Sequence, residues 1–270
     1  MIVAIHDAGD ARLAPFRWRD RQLASRLDRT ETVGAGMFVA EGDLVVQRAL
    51  DAGCEPVALL CDETMGAELA VVLDGVDVYV GDEDLRREVT GLGVPLKALG
   101  LFRRPPLVDP EVLISDSTRI VMAEAVDNPT NLGSIMRNAV ALGWDALLLT
   151  NGSADPLARR ALRVSMGTGL RLPFARLDDS DAAFEMFGRH GCDTIALTPS
   201  PEASPLDDHV ASATGRRALL LGSERDGLAP ATMARCTRRV RIEMYNDTDS
   251  LNVAAAAAIA LHHLGPRRPA

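Results

Sequence analysis

The chain has 270 residues, 47% hydrophobic and 25% charged, enough for one large or two ordinary domains with a sizeable core. Asp and Glu number 38 against 29 Lys and Arg, a formal charge of −9 that excludes a wholly basic nucleic-acid-binding chain. The four cysteines show neither C-x-x-C spacing nor a matching His cluster, so neither a metal site nor a disulfide framework is indicated.

The N-terminus, MIVAIHDAGD, has no basic region followed by a long apolar run, and no segment is long enough to span a membrane. A cytoplasmic protein with reduced, packed cysteines is expected. Lys97 is the only lysine, so nearly all positive charge is arginine, often paired, as in Arg103-Arg104, Arg159-Arg160, Arg216-Arg217 and Arg238-Arg239. Such pairs suit bidentate phosphate binding, but for any single pair a codon bias toward arginine is the first reading.

In chain order, residues 11–30 carry Arg12, Arg17, Arg19, Arg21, Arg26 and Arg29 with Phe16 and Trp18 between them. The mixture fits RNA phosphates and unstacked bases, or an amphipathic helix whose Trp18 and Leu23 cover the next domain. Gly36–Gly42 reads as a strand entering a turn, followed by a helix with Leu44, Val45, Ala49 and Leu50 on its apolar face. Val57–Cys61 and Val76–Val80 are strands around a helix near Ala67–Leu73, giving a small α/β domain in which Glu41 is a turn or helix-start carboxylate rather than a general base. RRPPLVDP, beginning at Arg103, ends regular structure, and the domain boundary is placed at 106/107.

Beyond it, Arg119–Ala125 is an apolar strand running into the loop Val126–Gly133, and a helix follows from about Ser134 to Leu142. Ile135, Met136, Ala139 and Val140 share its apolar face, which leaves Arg137 on another, while Asn131 reads as a helix cap. Further strands are expected at Ala146–Leu149, Leu172–Leu177, Asp193–Leu197, Ala218–Leu221 and Val240–Met244, with helices from Pro156 and around Ala182–Arg189. The apolar run before Gly222 has the character of a strand in a parallel sheet, and the loop after it places Glu224 at a turn. Ser250 stands where an N-cap belongs, before an alanine-rich helix that is apolar almost all round and should be buried. Asn252 reads as a polar amide one step inside that helix with no structural need of it. No G-x-G-x-x-G follows a strand and no G-x-x-x-x-G-K-[ST] is present, which disfavours dinucleotide and P-loop enzymes.

EAVDNPTNLGSIMRNAVALG, LLLGSERDGL and RIEMYNDTDSLNVAAAAAIAL, in this order and spacing, resemble the three motifs of the SpoU (TrmH) family of RNA 2′-O-ribose methyltransferases in the SPOUT superfamily. Glu243 departs from the family's usual proline. The resemblance implies a C-terminal α/β trefoil-knot methyltransferase domain at 107–270, preceded at 1–106 by a small N-terminal α/β (L30e-like) RNA substrate-binding domain. It implies S-adenosylmethionine as cofactor, with Gly222, Ile242 and Leu251 contacting it and Leu197, Thr198 and Met244 lining its surroundings. Arg137, Asn131, Glu224, Ser250 and Asn252 are then the catalytic set. Arg137 is either the base that deprotonates the ribose hydroxyl or, since arginine holds its proton tightly, the group that grips the target phosphate and polarises the hydroxyl. The implied partners are RNA, ribosomal or transfer, and a second copy in a homodimer through the knotted domain, with no membrane and no metal. The rival is a non-catalytic RNA-binding protein on the same scaffold.

Overall fold

The computed structural model describes residues 2–24, 36–94, 96–208, 215–246 and 248–266. Two compact units emerge: Met1–Pro106 with Leu157–Leu170, and Leu107–Pro156 with Arg171–Ala270. Division in chain order at 106/107 therefore misses the return of Leu157–Leu170 to the first unit. Arg26 and Arg29 of the N-terminal basic stretch, and Asp247 of the third motif, lie outside the described residues.

The first unit opens with β1 (Ile2–Ala4), α1 (Ala14–Arg17), α2 (Asp20–Leu23), β2 (Met37–Glu41), α3 (Asp43–Asp51), β3 (Pro56–Cys61), α4 (Glu63–Val72), β4 (Asp77–Val80), α5 (Glu83–Thr90) and β5 (Ala98–Arg103). Its sheet runs β1-β4-β3-β5-β2, with β1, β4 and β3 parallel and β5 antiparallel to both neighbours. Asp62 and Asp82 start α4 and α5 by accepting hydrogen bonds from Met65 N (2.8 Å) and Leu85 N (2.9 Å), satisfying N–H groups that the helix leaves unpaired. Phe16 and Leu23 are fully buried in the core and Trp18 packs half-buried against it. A Phe16 ring closed off in this way cannot stack on a base, and Phe16, Trp18 and Leu23 pack within this unit rather than over the next domain.

The remaining elements are α6 (Pro110–Asp116), β6 (Arg119–Ala123), α7 (Pro129–Ala141), β7 (Ala146–Thr150), α8 (Arg159–Val164), β8 (Phe174–Leu177), α9 (Ser180–Arg189), β9 (Asp193–Leu197), β10 (Ser204–Pro205), β11 (Arg217–Leu221), α10 (Pro230–Arg235), β12 (Arg238–Arg241) and α11 (Val253–Leu264). Helix α8 belongs to the returning segment and packs on β2. There Glu41, the last residue of β2 before the Gly42 turn, does more than start a turn: nearly fully buried, it pairs with Arg159 (3.1 Å) and Arg163, while Arg159 also donates to Phe16 O and Trp18 O. Burial pushes the Arg159 guanidinium below its ordinary pKa, against the opposing pull of Glu41.

The second unit is a seven-stranded, wholly parallel sheet in the order β10-β12-β9-β11-β6-β7-β8. Its central strands are buried on both sides, which explains their unbroken apolar sequences. Val121, Leu147, Leu219 and Leu221 face α7 and α11; Ile120, Met122, Leu148 and Leu220 face α6 and α9. Cys61 and Cys192 are packed, and burial pushes both thiols up to about 12.

Three boundaries differ from expectation at the positions that matter for function. Helix α7 begins at Pro129, five residues early, because Asn128 caps it by accepting from Thr130 N (2.9 Å) and proline occupies its first turn. Asn131 is therefore a buried residue inside the helix rather than a cap. Helix α11 begins at Val253, and its N-cap is Asn252, which accepts from Ala254 N (3.0 Å) and Ala255 N (3.3 Å), not Ser250. Nor is α11 buried all round: Ala254, Ala257, Ala260 and Leu261 are covered, whereas Ala255 and Ile259 are exposed.

Candidate active site

Strands β12, β9, β11 and β6 are consecutive neighbours and parallel, so the loops leaving their C-terminal ends emerge side by side at one edge of the sheet. That edge is where open α/β sheets hold ligands. A cavity of about 600 Å³ opens there, lined by the loop after β9, the loop after β11 and the segment joining β12 to α11. Every residue expected to hold the cofactor, Leu197, Thr198, Gly222, Ile242, Met244 and Leu251, lies in its wall, as do Glu224, Ser250 and Asn252.

The loop after β11 closes on itself through paired backbone hydrogen bonds between Ser223 and Gly227, 3.1 and 3.2 Å. Gly222 is required by this closure: a Cβ there would stand 2.0 Å from the Gly227 carbonyl carbon and 2.1 Å from Leu228 N.

Three of the expected polar residues form one hydrogen-bonded chain. The α11 N–H groups donate to Asn252 Oδ1, Asn252 Nδ2 donates to Asn131 Oδ1 (3.1 Å), and Asn131 Nδ2 donates to Glu224 Oε1. Each link fixes the next: once the helix occupies the oxygen of Asn252, its amide nitrogen must face Asn131, and the nitrogen of Asn131 must then face an acceptor. Glu224 serves there as the terminal carboxylate acceptor, and it is otherwise exposed along the cavity wall. Ser250 lines the same cavity without capping α11. Arg137 does not line it: six residues beyond Asn131, it stands about 120° round the helix and is exposed.

A further carboxylate escaped the sequence reading. Glu124, buried at the end of β6, accepts hydrogen bonds from Ala229 N (2.7 Å), Thr232 Oγ1 (2.5 Å) and the Ser180 hydroxyl. It ties the start of α10, and with it the end of the Gly222–Leu228 loop, to β6 and α9. Its partners lie 56 to 108 residues away in the chain, so no local pattern signals it. Among the described residues no group of three His, Cys, Asp or Glu side chains is placed to hold a metal ion, and no helix is long and apolar enough to cross a membrane.

A parallel sheet with a cavity at this edge, walled by three polar loops, is an α/β architecture with solved counterparts. The AdoMet-bound rRNA methyltransferase from Sinorhizobium meliloti shares it, with a TM-score of 0.81 at 24% identity over 97% of each chain. The chain belongs to the SpoU rRNA Methylase family, whose model matches residues 118–262. It is 38% identical over 270 residues, 96% of this chain and 93% of the other, to an uncharacterized tRNA/rRNA methyltransferase of Mycobacterium bovis. The 23S rRNA (guanosine(2553)-2′-O)-methyltransferase RlmP of Bacillus subtilis is 28% identical over 246 residues, 90% of this chain and 93% of that protein. The expectation drawn from the three motifs is borne out at the level of the family: this is an RNA methyltransferase of the SpoU family rather than a bare scaffold.

Proposed function

We infer that the chain methylates the 2′-hydroxyl of a ribose in ribosomal RNA, with transfer RNA the second candidate. The observation that carries this reading is the chain Asn252–Asn131–Glu224 ending at the wall of a cofactor-sized cavity. The ribosomal preference rests on the RlmP resemblance along 90% of the chain.

The residues present fit S-adenosylmethionine. Leu197, Ile242 and Met244 offer apolar wall to a purine and an aliphatic methionine chain, Thr198 and Ser250 offer hydroxyls, and the Gly222 backbone lies bare of side chain. When bound, the cofactor supplies the electrophilic methyl group of a sulfonium. The chain's own residues then align the ribose and let its hydroxyl lose a proton. Glu224 accepts a hydrogen bond from the nucleotide with the carboxylate oxygen that Asn131 does not occupy, and Ser250 and Asn252 hold the third loop in place. Arg137 is exposed within the chain, so the chain's own fold does not provide the desolvation that a base role would demand. It grips the target phosphate and polarises the hydroxyl, whose proton passes to phosphate or water.

The exposed Ala255 and Ile259 on α11 support a homodimer formed through the second unit. The threading of α11 as a trefoil knot, an RNA-binding role for the first unit, and a cytoplasmic location complete the proposal.

The test is transfer of labelled methyl groups to ribosomal and transfer RNA lacking native modifications, with wild type compared against Arg137→Ala. Label at a 2′-oxygen of one RNA class, reduced about 100-fold or more in the variant, is expected. A wild-type protein that fails to bind S-adenosylmethionine would overturn the reading.

A further inference from the structure

The chain contains two Trp, two Tyr and six Phe, and every one except Tyr245 is buried or half-buried. Tyr245 is 77% exposed. The other rings are used within the fold: Phe38 stacks on Phe102, Phe184 meets Phe187 edge-on, and Arg12 and Arg235 lie over Tyr79 and Phe184. Tyr245 takes part in none of these pairs. A ring of this size left in water forgoes burial that every other aromatic in the chain obtains.

Its place in the chain is specific. Met244, immediately before it, lines the cofactor cavity and is half-buried, whereas Tyr245 is not among the residues of the cavity wall and stands exposed beside it. Asn246 then turns the chain in the left-handed region (φ +57°), and Thr248 N donates to Tyr245 O (3.4 Å), holding the ring at the outer corner of a turn. Glu243 and Asp249 flank it as acids. Arg241, 3.4 Å from Glu243, offsets the nearer one. Charge therefore gives this lip no strong hold on a phosphate chain, whereas a phenol ring recognises any base by its face regardless of charge.

We propose that Tyr245 is the stacking platform for an unpaired base of the RNA next to the ribose being methylated, and so a positioning residue for substrate. This rests on the functional reading above. In single-stranded recognition such a ring is worth a loss of about 5- to 150-fold in affinity when removed.

The experiment measures binding of unmodified ribosomal and transfer RNA by the full chain, separately from methyl transfer, for wild type, Tyr245→Ala, Tyr245→Phe and Tyr245→Trp. Expected are RNA binding about tenfold weaker in Tyr245→Ala and within about twofold of wild type in Tyr245→Phe. RNA should quench the emission of the introduced indole, and cofactor affinity and sedimentation should not change. Equal RNA binding by Tyr245→Ala overturns the proposal. So does a loss of S-adenosylmethionine affinity, which would assign the ring to the cofactor's adenine. A change in sedimentation with RNA binding intact would assign it to a second copy of the chain and overturn it too. Tyr245-dependent RNA binding by a protein that methylates no RNA would leave the stacking in place and overturn the functional reading alone.

Discussion

Two carboxylates, Glu41 and Glu224, show how this chain builds a closed polar cluster and an open one. Glu41 is shut on both oxygens by Arg159 and Arg163 inside the first unit and is nearly fully buried. Glu224 receives one amide from Asn131 and remains exposed on the cavity wall. The closed cluster uses full charges against one another. The open one uses neutral amides oriented by a helix terminus, which leaves the charge of Glu224 uncancelled and available to a ligand. Burial with pairing makes a brace, whereas exposure with one-sided support leaves an oxygen open to a ligand.

That contrast can be broken most forcefully at the brace. Glu41→Gln should strand two arginines in the first unit and lower its stability by about 3–5 kcal/mol in denaturant unfolding, with little change in S-adenosylmethionine affinity of the folded protein. If cofactor affinity fell in step, the brace would belong to the site as well. Gly222→Ala should come next. A methyl group within about 2 Å of backbone atoms forces the second loop open, costs about 1–3 kcal/mol, and removes cofactor binding measured by calorimetry.

Asn131→Asp sharpens the polarity of the open cluster, since it sets a second carboxylate against Glu224. Methyl transfer should fall about 100-fold, with partial recovery toward acidic pH as the pair takes up a proton. A pH–rate profile parallel to that of wild type would refute the assigned direction of the amide chain.

The smallest effect lies outside both clusters, at Glu111, whose carboxyl Arg189 and then His190 hold down to about 2 from an ordinary 4.5. The folded state favours the ionised form, so its contribution is present above about pH 4.5 and is lost as pH falls toward 2. Glu111→Gln should therefore flatten acid unfolding slightly in that window and leave the neutral-pH melting curve almost unmoved.

Much of this was legible beforehand. Ala218–Leu221 announced a buried parallel strand by composition alone, Asp193–Leu197 read as a strand, and all six residues assigned to the cofactor fell in one cavity wall. What the sequence hid was decided by contacts distant along the chain. Ser250 and Asn252 are both good caps, and the hydrogen bond from Asn252 to Asn131, 121 residues away, accompanies the start of α11 at Val253. The Asn128-Pro129 pair was a readable start signal for α7, and its omission misplaced Asn131 as a cap. An apolar helix cannot by its own sequence declare which face a neighbour covers, and so the exposure of Ala255 and Ile259 could not be foreseen. Glu124 is a plain acid in an apolar strand until the fold brings Ser180, Ala229 and Thr232 to it.

The return of Leu157–Leu170 to the first unit also governs the timing of synthesis. On the ribosome, Glu41 leaves the exit tunnel long before Arg159 and Arg163 have been translated, so the N-terminal sheet waits with an unanswered acid while β6, α7 and β7 are made. Completion of the first unit is thus scheduled after the first strands of the second. A stop codon or a gene fusion at residue 106 would deliver a fragment with its keystone missing.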